Sequence, residues 1–219
     1  MKTLSNIITK IFIIAILIVH GQNQCLAQDR VSRKAFISIH SGTYLPSVDG
    51  FKETYHSPCA FINGLSLGIP FTNEEMFFYL KAMYFQKSGT PIGYHFEYDE
   101  QTDKYNTYTT QEGDVDYKQW LGNIGVQYNL CFKLTNIIIL NGGITLVKIS
   151  EKIKNSTAGS DGKGISGYFL GIGYEKKILD KFSLFSEIQY NFDFPILKEL
   201  GIRSGGANIN AGIRYYFSQ

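Results

Sequence analysis

The chain closes on ANINAGIRYYF, residues 207–217, and the reading of that stretch decides the fold. Ile209, Ala211, Ile213, Tyr215 and Phe217 fall on one side of an extended chain. Asn208, Asn210, Gly212, Arg214 and Tyr216 fall on the other. Successive strand residues point to opposite faces, so the pattern makes one apolar and one polar surface. An alternation of this kind that ends on an aromatic suits the last strand of an outer-membrane barrel, with lipid on one side and a polar lumen on the other.

Seven further segments alternate in the same way, working back to the start of the barrel. The first strand is expected over 34–44, with Ala35, Ile37 and Ile39 opposite Phe36, Ser38 and His40. The second, 60–69, sets Phe61, Leu65, Leu67 and Ile69 against Gly64, Ser66 and Gly68. The third, 76–87, alternates Phe78, Leu80, Ala82 and Tyr84 with Tyr79, Lys81, Met83 and Phe85. The fourth spans 118–130, with Trp120, Ile124, Val126, Tyr128 and Leu130 outward. The fifth spans 137–149, the sixth 165–174, the seventh 182–192 and the eighth 207–217. Segments 151–164 and 175–180 read as loop and turn by composition.

The connections add a second line of argument. Those after the second, fourth and sixth strands are short; those after the first, third, fifth and seventh are longer and rich in Gly, Ser, Asp and Lys. Short turns at one end and long loops at the other is the asymmetry of outer-membrane barrels, and an even strand count puts both termini in the periplasm. The fold expected is all-β: an eight-stranded antiparallel up-and-down transmembrane β-barrel with a filled lumen. Eight strands enclose only enough space for side chains, so no open pore is expected. Inward glycines make room that Phe36, Phe85 and Phe185 can fill.

The other end of the chain agrees. Lys2 and Lys10 precede or flank an apolar run, 11–19, and Cys25, Leu26 and Ala27 form a small-residue site before Gln28. That is the pattern of a secretory signal peptide over 1–27, leaving 28–219 as the barrel domain. The apolar run is about half the roughly 20 residues a spanning helix needs. Gln22, Asn23 and Gln24 before Cys25 argue against lipid attachment. Of the 21 basic side chains, Lys2 and Lys10 leave with the signal, and the remainder balance the 19 acids. A neutral mature chain argues against nucleic acid as a partner.

Two sets of residues follow from the strand geometry. Lys81, Glu187 and Arg214 all point inward at similar depths by residue count, and a buried charge needs a partner, so an ion-pair cluster of the three is expected. Tyr84, Trp120 and Tyr168 near the loop ends, and Tyr128, Tyr174, Tyr215 and Phe217 near the turn ends, are expected to form two aromatic girdles at the headgroup levels.

The segment GLSLGIPFTNEEMFFYLKAMYFQKSG, 64–89, resembles the Bacteroidota outer-membrane β-barrel family that includes PorT-like proteins. That family shows a glycine-led strand, an IPL-S-D-like turn and a strand ending in Tyr-x-Gln-Lys-Gly. Here Tyr84, Gln86 and Lys87 match, with Ser88 inserted before Gly89. Glu187, Gln189 and Tyr190 resemble the family's penultimate strand, where arginine often precedes the tyrosine; Gln189 departs from it. The resemblance covers nearly the whole mature chain. It implies the fold and an outer-membrane location, and its members are mostly small barrels of unassigned role.

Chemistry is sparse. His56 and Cys59 make an H-x-x-C, but further converging ligands are not visible, so no metal or other cofactor is expected. His95, Glu97, Asp99 and Glu100 match no ordered cation loop and read as a solvated acidic stretch. Ser38 and His40 share an inward face, with no acid assignable to orient the histidine, so a luminal polar network is expected rather than catalysis. In the second long loop Tyr94, Tyr98, Tyr105 and Tyr108 are interleaved with acids, a candidate recognition surface for a basic or cation-bridged protein partner, the alternative being two strands that extend the barrel above the membrane. The functional expectation is a monomeric, non-enzymatic structural or interaction protein in outer-membrane lipid. The alternatives are a PorT-like accessory role in protein secretion and a lipid-modifying barrel enzyme. Cys59 and Cys131 fall at opposite ends of the apolar band, which is about 25 Å tall, so no disulfide between them is expected.

Overall fold

Alternation along each strand becomes alternation across a wall. The computed structural model describes residues 34–47, 51–71, 75–90, 92–99, 104–111, 114–133, 135–153, 159–194 and 205–217; the side chains of 53, 91–113, 132–134 and 153–166 are outside the description. Eight strands close into one antiparallel barrel: β1 (Phe36–Pro46), β2 (Ala60–Pro70), β3 (Met76–Gly89), β6 (Val115–Lys133), β7 (Asn136–Ile153), β8 (Gly159–Leu179), β9 (Phe182–Asp193) and β10 (Gly206–Tyr216). β4 (Ile92–Asp99) and β5 (Lys104–Gln111) form a separate hairpin, and a five-residue helix α1 (Phe51–Tyr55) lies between β1 and β2.

Each barrel strand pairs with its neighbour along the chain, and β1 pairs with β10 to close the ring, Ile39 opposite Ile213 and Phe36 opposite Tyr216. Closure leaves no strand edge, which is the condition for a sheet to sit in hydrocarbon. The wall's two faces differ as the alternation requires. Ile39, Phe61, Leu65, Leu170, Ile188 and Ile213 lie exposed outside, while Phe36, Phe85 and Phe185 are buried inside with most of the polar strand residues. Among the described residues no helix is long and apolar enough to cross a membrane; this wall of strands carries the apolar band.

Two expectations are corrected. The 151–164 segment is not all loop: β7 continues to Ile153, and β8 starts at Gly159, with Lys152 opposite Gly159. The 175–180 segment is not a turn: β8 runs through Leu179, and Asp180 and Lys181 alone make the bend. In 159–164 and 175–177 polar residues or glycines fall on both faces of the strand, so the apolar half of the alternation disappears and the composition becomes that of a loop. The second long loop contains the β4–β5 hairpin, in keeping with the two-stranded alternative, with Tyr98 opposite Tyr105 and His95 opposite Tyr108. No disulfide joins Cys59, beside the loop end of β2, to Cys131, near the turn end of β6.

Candidate functional site

The interior is built in layers, and the layer nearest the turns centres on Arg214. Its Nη1 donates to Glu175 Oε2 at 2.5 Å, and its Nη2 to Gln127 Oε1 at 3.3 Å. Glu175 Oε1 accepts from Ser183 Oγ at 2.7 Å and from Tyr216 OH at 2.5 Å. The guanidinium carbon lies 3.8 Å from the centroid of Phe36 and 5.0 Å from that of Phe185, so its faces rest on aromatic rings. Attraction between a cation and a ring's π cloud strengthens when water is excluded.

The middle layer centres on Lys81, whose ammonium pairs with Glu187 Oε1 and donates to Gln189 Oε1 at 3.0 Å. Asn141 Nδ2 donates to Glu187 Oε2 at 2.8 Å, and Gln189 Nε2 to Asn191 Oδ1 at 2.8 Å. Ser38 Oγ and Ser66 Oγ bond to each other in the same half of the lumen. His40 is 2% exposed and lies edge-on to Phe185 with ring centroids 6.2 Å apart; among the described residues neither ring nitrogen has a hydrogen-bond partner.

The loop end is closed by aromatics. Tyr44, Phe51, Tyr55, Phe85 and Tyr117 form one buried cluster with Ile62, Met83 and Leu121. Phe85 stacks on Tyr117 at 5.6 Å, and Phe51 meets Tyr55 at 4.6 Å across one turn of α1. Tyr55 OH donates to Glu151 Oε1 at 2.7 Å, tying α1 to β7. Burial, and then this bond to a carboxylate, push the Tyr55 hydroxyl's pKa above its ordinary value.

The expected three-residue charge cluster is corrected to two separate pairs. Lys81 meets Glu187, but Arg214 meets Glu175, which lies in the segment expected to be a turn. The reason lies in the register: Arg214 is opposite Ser183, whereas Glu187 is opposite Asn210. Four residues separate those two levels, about 13 Å along a strand. Strand tilt also means that equal counting from the turn end does not place side chains on different strands at equal depth. The signal for Glu175 was present, since it continues the inward parity of Gly171 and Gly173 past Tyr174.

Tyr84, Trp120, Tyr128, Tyr168, Tyr174, Tyr215 and Phe217 all lie outside the buried interior. Tyr84 packs on Trp120 at 4.6 Å near the loop end, and Tyr215 packs on Phe217 at 5.5 Å near the turn end. Tyr94, Tyr98, Tyr105 and Tyr108 are on the β4–β5 hairpin, and their side chains lie outside the described residues, as does the 1–27 segment. Among the described residues His56 and Cys59 gather no third ligand, and no cluster of metal-binding side chains occurs.

A closed eight-stranded antiparallel barrel with an apolar exterior and a packed polar interior has the fold of the outer-membrane β-barrels. Similarity to a solved structure agrees at the level of fold. Neisserial surface protein A, NspA, is similar with a TM-score of 0.55 and 12% identity, over 84% of this chain and 96% of that one. The N-terminal barrel domain of Pseudomonas aeruginosa OprF gives 0.47 and 12%, over 84% and 98%. Yersinia pestis Ail, the attachment invasion locus protein, gives 0.47 and 13%, over 84% and 100%. No protein-family model matches the chain, and no curated protein matches it.

Proposed function

We propose that the protein is exported by its N-terminal signal, inserts in the outer membrane as a monomer, and serves a structural or interaction role without conducting solutes. The observation that carries this reading is the packing of the lumen. Phe36, Glu175 and Arg214 near the turns, Lys81 and Glu187 in the middle, and Tyr44 and Phe85 near the loops are none of them more than 3% exposed. A conducting pore needs a wetted lining through its whole length. Planar bilayers containing the refolded chain should show no discrete conductance steps; steps that scale with salt would overturn the reading.

The non-enzymatic part of the reading is supported by Ser38 and His40. Both are buried in the lumen, and Ser38 bonds to Ser66 rather than to the imidazole. A nucleophile acting on lipid has to reach the membrane face. A second reading, a PorT-like accessory role in protein secretion, rests on the likeness of 64–89 and 187–190 to that family. Deleting the gene and measuring secreted protein separates the two: unchanged secretion favours the structural role.

A further inference from the structure

Three lysines share the outward face of β6 and β7 at the loop end. Lys118 stands two residues beyond Trp120 on β6; on β7, Lys148 is opposite Trp120 and Lys152 opposite Asp116. All three are exposed, and with Asp116, Trp120 and Ser150 they line a cleft of about 290 Å³. Asp116 already accepts a hydrogen bond from Ser88 Oγ at 2.5 Å. Among the described residues no carboxylate lies within ion-pair distance of the three ammonium groups.

Immediately toward the turn end the same wall is apolar and indented. Ala82 on β3 is opposite Gly122 on β6, which is opposite Leu146 on β7. A Cβ placed on Gly122 would meet nothing nearer than the Leu146 Cβ at 3.7 Å, so the glycine leaves open space rather than relieving a clash. With Leu65, Leu80 and Ile124 these residues line a groove of about 380 Å³. Trp120, 53% exposed and packed on Tyr84, separates the lysine cleft from the apolar groove.

We propose that this face binds a phosphorylated, acylated lipid of the outer leaflet. Its phosphate sits among Lys118, Lys148 and Lys152, and an acyl chain lies in the groove over Ala82 and Gly122. The order of features along the wall matches the order within such a lipid: charge, then an interfacial ring, then hydrocarbon. An ammonium beside a lipid wall at the level of an aromatic ring is held at the headgroups, where anionic lipids attract it. The charge complementarity is local, because the mature chain as a whole carries equal numbers of basic and acidic side chains. The proposal rests on the outer-membrane reading above, which turns the loop end of the barrel outward.

Trp120 is the only tryptophan in the chain, so its emission reports on this site alone. Diphosphoryl lipid A titrated into the refolded full chain in uncharged micelles should give a saturable change in emission. The triple variant K118Q/K148Q/K152Q should weaken that response roughly ten- to a hundredfold, while the triple arginine variant keeps it. Gly122→Leu, which fills the groove, should weaken it as well. A heat-dependent mobility shift on a denaturing gel confirms that each variant is folded. An equal response to phosphatidylcholine, or an unaltered glutamine variant, would overturn the proposal. Inorganic phosphate binding as tightly as lipid A would assign the cleft to a soluble anion instead. Cell fractionation tests the parent reading separately: outer-membrane residence with no lipid A response defeats the lipid site alone, and residence elsewhere defeats both.

Discussion

Arg214 shows what enclosure demands of a single residue. Its guanidinium is fully buried, and it is stable there only because Glu175 supplies the opposing charge while Phe36 and Phe185 cover its faces. Desolvation of such a pair is costly, and removing one partner strands the other charge. Glu175→Ala should therefore destabilise the barrel by about 3–5 kcal/mol, read from urea unfolding in lipid vesicles. Lys81 and Glu187 form a second ion pair whose hydrogen-bond partners are Gln189 and Asn141 rather than Glu175 or Arg214, so Glu175→Gln and Glu187→Gln should add to within about 0.5 kcal/mol. A larger coupling would restore the single cluster of Lys81, Glu187 and Arg214. Glycine supports the same layer: a Cβ on Gly68 would fall 2.1 Å from the Phe36 ring. Gly68→Ala must push that ring off the guanidinium, at about 1–3 kcal/mol in the same assay.

At the scale of elements, the barrel strands were legible and the additions to them were not. Alternation is forced wherever one face meets lipid, so all eight barrel strands could be found within a few residues at most of their ends. Past the bilayer that force is gone, and the outer parts of β7 and β8 have the composition of loops. Five residues of α1 are too few to show helical periodicity, yet Phe51 and Tyr55 lie four apart and so share a face. That face closes the lumen against Phe85 and Tyr117. Ile62 beneath it is fully buried. In a background lacking Cys59 and Cys131, Ile62→Cys should resist a water-soluble maleimide and become reactive when Phe51 and Tyr55 are both alanine. Equal labelling rates in the two forms would show that α1 does not seal the barrel. Alkylation of the denatured, unreduced parent protein should label both Cys59 and Cys131, since no disulfide joins them.

For the whole molecule, closure of the ring was readable from the last strand alone, but the depth of each side chain was not. Residue counting placed Arg214 beside Glu187, and the tilt required to close eight strands placed it beside Glu175. Tilt is a property of the closed sheet and leaves no mark on any one strand. The outer face carries its own test of the environment that the fold implies. Ile188 is 56% exposed, and it lies opposite Ile172 on β8 and Ile209 on β10, in the middle of the wall; Ile178 is 54% exposed near the turn end. In water, arginine at two such exposed positions would cost about the same. In a bilayer, Ile188→Arg should cost about 2–4 kcal/mol and Ile178→Arg about 0–1 kcal/mol, because the charge is buried in hydrocarbon only at mid-height. Unfolding both variants in phospholipid vesicles measures the difference. Equal costs at the two depths would mean that this apolar wall does not face lipid.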